Sequence, residues 1–119
     1  LKIVVDHFAK PPIAAKEMEP WASSMAEIAA FPNVYAKLSG LNTASDLANW
    51  SVADWQPYVD HVVTEFGANR TLLGGDWPVI VLMNNYVEVW KAQLAAIAKY
   101  SAEDQEWITH KTAEHVYGI

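Results

Sequence analysis

Apolar positions along this chain fall into two kinds of run. Short runs, Ile3-Val4-Val5, Val34-Tyr35-Ala36 and Thr71-Leu72-Leu73, alternate with longer stretches in which apolar residues recur every three or four positions. The first kind predicts buried strands and the second amphipathic helices. The strands are expected over residues 2–7, 34–39 and 71–75, and the helices over about 20–30, 51–66, 85–99 and 101–118. Trp21, Met25, Ile28 and Ala29 form the apolar stripe of the first helix, and Pro20 suits its first turn. Ser51-Val52-Ala53-Asp54 has the spacing of a capping box, with Asp in place of the usual Glu, and Gly67 is a natural stop for that helix. Paired prolines make residues 8–12 a loop, and the polar stretch 41–50 is a long connection.

Strand and helix in strict alternation imply an α/β fold with parallel strands and right-handed crossovers. Three strands make an open sheet, and both its edges would be apolar and unpaired. Further strands are therefore expected from a missing N-terminal barrel half, a second chain or a swapped copy in a homo-oligomer.

Composition narrows the picture. The 119 residues suffice for one core, so 1–119 is read as belonging to a single domain. Apolar residues make up 52%, yet no apolar run nears the roughly 20 residues that span a bilayer. A net charge of −6 with no basic stripe argues against a nucleic-acid partner. The absence of cysteine excludes disulfides, thiolate nucleophiles and Cys-ligated zinc, and it fits a cytoplasmic location. The chain opens on Leu1 inside a strand-like run, without a leader, and is expected to be a fragment or a trimmed product.

Candidate chemistry sits at strand ends. His7 closes the first strand, and Asp76 follows Gly74-Gly75 and precedes Trp77-Pro78. The C-terminal ends of parallel strands are where α/β enzymes carry their chemistry. Alternation puts Ile3, Val5 and His7 on one face, Tyr35, Lys37 and Ser39 on one face, and Leu72, Gly74 and Asp76 on one face. If His7 and Asp76 point to one mouth, the carboxylate can take a proton from an attacking water. The imidazole can then polarise a carbonyl or ligate a metal. On spacing alone, a satisfied core or loop histidine is an equal alternative for His7.

The other candidates each carry a bland alternative. Lys37 can neutralise a substrate carboxylate or developing oxyanion, or pair within the sheet interior. Ser39 can hydrogen-bond a substrate. Trp77 can stack on a ring face or only pack, and Trp50 can close a lid or anchor its loop. Asp6 faces away from His7 and is expected to cap a helix. Arg70, at the opposite end of its strand, reads as structural. His61 is expected at the solvent. His110 and His115, five apart, miss the spacing of a helical metal pair.

Four ordered segments carry a family resemblance. They are Val4-Val5-Asp6-His7-Phe8-Ala9-Lys10-Pro11, then Asn33-Val34-Tyr35-Ala36-Lys37-Leu38-Ser39-Gly40, then Phe66 to Val79 with its Gly74-Gly75-Asp76-Trp77-Pro78 core, and finally Lys111 to Gly118. Together they resemble the amidohydrolase-2 family over nearly the whole chain, with Gly75 standing where the family usually has Ser. The resemblance implies strands 6–8 of a (β/α)8 TIM barrel, hence its C-terminal part only. It implies that His7 is the sixth-strand histidine and Asp76 the water-activating base. The family's first-strand His-x-His pair and fifth-strand ligand have no counterpart here, so the chain alone is expected to be inactive. The expected reaction is lactone hydrolysis, on a sugar lactone or a pyrone-type dicarboxylate lactone. A metal-dependent decarboxylase and a non-catalytic fragment or assembly module are the alternatives. One divalent metal, Zn or Mn, held by His7 and Asp76, and metal-free chemistry both stay open.

Overall fold

The computed structural model describes all 119 residues. Three parallel strands, β1 (Ile3–Val5), β2 (Val34–Leu38) and β3 (Thr71–Leu73), lie in the order β1-β2-β3. Val4 pairs with Tyr35 and Val5 with Ala36, while Ala36 pairs with Thr71 and Lys37 with Leu72. Two helices cross over between strands, α1 (Trp21–Ala29) and α2 (Val52–Phe66), and α3 (Tyr86–Ile97) follows β3. The α/β class, the parallel sheet and the element order agree with the sequence pattern. No helix is long and apolar enough to cross a membrane.

Local chemistry explains the helix limits. The Asp54 carboxylate accepts from the Ser51 backbone N–H at 2.8 Å and from its hydroxyl at 3.1 Å, so the Asp variant of the capping box holds the start of α2. Gly67 ends α2 at φ 81°, a left-handed value open to glycine. Asn85 lies outside α3 as its cap and accepts from the Val87 N–H at 2.9 Å. Pro20 is also a cap, one position before α1 rather than in its first turn.

The outer face of the sheet carries Val34, Ala36, Leu38 and Leu73 and packs under the helices with Met25, Trp55, Val59, Val89 and Ile97. The expected 10-residue loop after β2 is partly ordered, with a short helical turn at Leu41–Ala44. Trp50 stacks on buried Trp55 at 4.6 Å, so it anchors this loop. His61 is not at the solvent as expected: it is half-buried, hydrogen-bonded to the Ala22 carbonyl at 2.8 Å and packed against Trp21.

The last helix is broken into three parts: α4 (Ala102–Glu106), a π-helical turn (Trp107–Lys111) and α5 (Thr112–Tyr117). Ile108 joins the core from the π turn, and the Thr112 hydroxyl donates to the Ala68 carbonyl just before β3. From there α5 crosses the inner face. Lys2 donates to the His115 carbonyl, the His115 ring lies 6.1 Å from Tyr35, and Tyr117 reaches Lys37.

Arg70 closes the N-terminal end of the sheet. Its guanidinium donates to the carbonyls of Phe66, Ala29, Phe31 and Val34 at 2.9–3.2 Å, joining α1, α2 and β2. An alanine would remove the donor that these carbonyls share, including those of Ala29 and Phe66 at the ends of α1 and α2. Arg70→Ala is expected to destabilise the fold by about 2–3 kcal/mol, read as a lower urea midpoint.

Candidate active site

At the C-terminal ends of the strands the chain turns sharply three times. After β1, four consecutive non-glycine residues, His7, Phe8, Ala9 and Lys10, take left-handed conformations at φ 50–55°. After β2, Gly40 is left-handed at φ 61°. After β3, Asp76 is left-handed at φ 51°. The strands therefore stop earlier than the apolar pattern predicts, at Val5, Leu38 and Leu73 rather than at residues 7, 39 and 75.

The turn after β1 overturns the expected alternation. Register pairs Val4 with Tyr35 and Lys37 with Leu72, so continued strand geometry would place Asp6 on the inner face and His7 on the helix face. The left-handed turn brings His7 back to the site. Left-handed residues other than glycine cost about 1–2 kcal/mol each. Complete burial of Phe8 returns about 2–3 kcal/mol. Four hydrogen bonds, each worth about 1 kcal/mol net, supply the remainder. They join the Lys10 N–H to the His7 carbonyl, Lys10 Nζ to Thr43, the Trp21 indole to the Phe8 carbonyl, and His7 to Ser39.

His7 and Asp76 meet. His7 Nε2 lies 3.6 Å from Asp76 Oδ1, with side chains 27% and 14% exposed. His7 Nδ1 is 2.7 Å from the hydroxyl of fully buried Ser39. Ser39 thus orients the imidazole and also lines the cavity in which the sequence suggested contact with substrate. Both groups line a cavity of about 410 Å³ together with Asp6, Lys37, Trp77 and Tyr117.

Lys37 is paired across that cavity. Its ammonium is 2.6 Å from Asp6 Oδ1, so Asp6 serves the inner face instead of capping a helix. Burial alone would lower the Lys37 pKa, but hydrogen bonds to Asp6 and Tyr117 outweigh it and hold the pKa above the usual lysine value. The lysine stays charged. Trp77 is 70% exposed at the rim and meets the Tyr86 ring edge-on at 6.0 Å.

Several residues that shape the site escaped the sequence reading. A Cβ on Gly40 would lie 2.9 Å from both Asp76 Oδ2 and His7 Nδ1, so the absence of a side chain there lets the pair approach. A Cβ on Gly75 would lie 2.9 Å from the Tyr86 hydroxyl, so Tyr86 fills the space beside this glycine. Buried Gln93 on α3 donates to the Gly74 carbonyl at 3.2 Å. Asn42 donates to Asn84 at 2.9 Å, tying the loop after β2 to the loop after β3. A glycine after a strand was the available signal for Gly40. The polar residues gave none, because their partners lie on other elements: Asn42 with Asn84, and Gln93 with the Gly74 carbonyl.

Zinc sites take three or four protein donors. His7 and Asp76 supply two, and no group of three or more His, Cys, Asp or Glu side chains converges in this chain. The residues present do not by themselves make a metal centre. His61, His110 and His115 lie outside the site cavity.

A carboxylate and an imidazole face one cavity at the C-terminal ends of parallel strands, the position where α/β enzymes carry their sites. The amidohydrolase family model matches residues 1–119, and the chain belongs to that family. An L-fucono-1,5-lactonase of Burkholderia ambifaria is 46% identical over 86 residues, covering 72% of this chain and 29% of that protein. An L-fucono-1,5-lactonase of Burkholderia multivorans is 31% identical and covers 98% of this chain and 43% of its own length. The solved structure of an amidohydrolase from Burkholderia multivorans superposes with a TM-score of 0.88 at 30% identity, covering 99% of this chain and 45% of that one. A second crystal of that amidohydrolase holds bound zinc. The chain thus spans less than half the length of these relatives.

Proposed function

We propose that residues 1–119 are the C-terminal part, strands 6–8, of a (β/α)8 barrel that hydrolyses a sugar lactone. The observation that carries this reading is the convergence of His7 and Asp76 in a chain that is 46% identical over 86 residues to an L-fucono-1,5-lactonase. Asp76 takes a proton from water as the water oxygen bonds to the lactone carbonyl carbon. The ring C–O bond then breaks, and the protonated Asp76 returns its proton to the ring oxygen, leaving a hydroxy acid. His7 Nδ1 and the Ser39 hydroxyl share a hydrogen bond of 2.7 Å; in the tautomer with Ser39 as donor, Nε2 carries the proton and hydrogen-bonds the carbonyl oxygen as charge develops on it. Lys37, charged and held by Asp6, favours the anionic product. Trp77 offers an exposed face to the sugar ring. The first-strand donors expected of the family lie outside these residues, so the isolated chain is expected to be inactive, and a metal would take its donors from elsewhere in the barrel.

The test is an assay of the intact protein against L-fucono-1,5-lactone and other aldonolactones, followed by acid release at constant pH with carbon dioxide measured in parallel. One acid per lactone with no carbon dioxide is expected. Carbon dioxide release, or no turnover of any aldonolactone, overturns the reading.

A further inference from the structure

Trp21 has no part in the chemistry proposed above, yet it is bonded to the segment that carries His7. It opens α1 on the outer layer, is largely buried, and packs edge-on against Tyr58 at 5.4 Å. Packing alone would be served by any large apolar side chain. The indole does more: Nε1–H donates to the Phe8 carbonyl at 2.6 Å. Phe8 is the residue after His7 and the second of the four left-handed residues. Without that bond the buried carbonyl has no partner, and the turn loses one of the few contacts holding it in a disfavoured conformation.

We propose that Trp21 is a positioning residue: its indole N–H clamps the Phe8 carbonyl and thereby holds His7 aimed at Asp76. The inference rests on the reading of His7 as a site residue, but the clamp has a signature that needs no substrate. α1 spans the outer layer and is anchored by the His61 hydrogen bond to Ala22 and by Met25 in the core. The clamp therefore ties the site to a rigid helix instead of to a loop.

The experiment uses the intact protein and two substitutions. Trp21→Phe keeps a ring in the core and removes only the donor. Met25→Ala weakens the same helix and leaves the Trp21 donor in place. For Trp21→Phe we expect kcat to fall about tenfold with KM within twofold, and the His7 imidazole signals in the NMR spectrum to shift. For Met25→Ala we expect a lower melting temperature with an unchanged His7 spectrum and unchanged kcat per folded molecule. An unaltered His7 spectrum in Trp21→Phe overturns the clamp. A shifted His7 spectrum with unchanged turnover upholds the clamp and overturns the role assigned to His7. In the unsubstituted protein the Trp21 indole proton should exchange with solvent far more slowly than that of exposed Trp77. Equal rates overturn the clamp even if Trp21→Phe fails to fold.

Discussion

Replacing Asp76 with asparagine in the intact protein is expected to reduce lactone turnover by about 10²- to 10⁴-fold while leaving the fold unchanged. Asparagine has nearly the same shape, so the left-handed turn at residue 76 and the hydrogen bond from the Ile80 N–H to its backbone carbonyl are retained. What it loses is the ability to hold a proton taken from water. The loss should fall on kcat, with KM little changed, because the proton is transferred only as the transition state forms. The measurement is steady-state kinetics beside circular dichroism and a melting curve. Turnover within tenfold of the unsubstituted protein would remove Asp76 as the base and shift attention to His7.

The second large effect is expected from a residue that takes no part in proton transfer. Gly40→Ala places a methyl group 2.9 Å from both Asp76 Oδ2 and His7 Nδ1, closer than real Cβ contacts come. Neither neighbour is a free chain end: His7 is held by Ser39, and Asp76 sits on a tight turn. The methyl must therefore push the pair apart. A displacement near 1 Å is worth about 10²-fold in rate, so kcat/KM should fall by at least that factor. Gly40 is also left-handed, and an alanine there adds about 1–2 kcal/mol of backbone strain. Gly118→Ala separates the two effects. Gly118 is left-handed at φ 71°, but a Cβ there meets nothing within 4 Å. It should lower stability alone, whereas Gly40→Ala should lower both stability and rate. Equal activity of the two variants would exclude crowding at the site.

The two glycines show how far the sequence could be read. Gly40 was legible as the end of a strand. Its role between two side chains 33 and 36 positions away was not, because no local pattern encodes a distance across the sheet. Asp76 and its loop were legible because glycine pairs and proline after an apolar run leave few backbone choices. Lys37 was legible as an inner-face residue, but its partner was not: Asp6 was placed by counting from a His7 assumed to stay in the strand.

The order of elements, the parallel sheet, the capping box of α2 and the strand-end positions of His7 and Asp76 follow from the sequence by itself. Periodicity, caps and turn residues are local and act within a few positions. Tertiary structure alone decided that His7 faces Asp76. Strict alternation would have turned it toward the helices, and only burial of Phe8 and bonds from Trp21, Thr43 and Ser39 hold four left-handed residues in place. Such a conformation is disfavoured for each residue taken singly. It persists because contacts from three separate elements together exceed its cost, and contacts of that range do not appear in any short window of sequence.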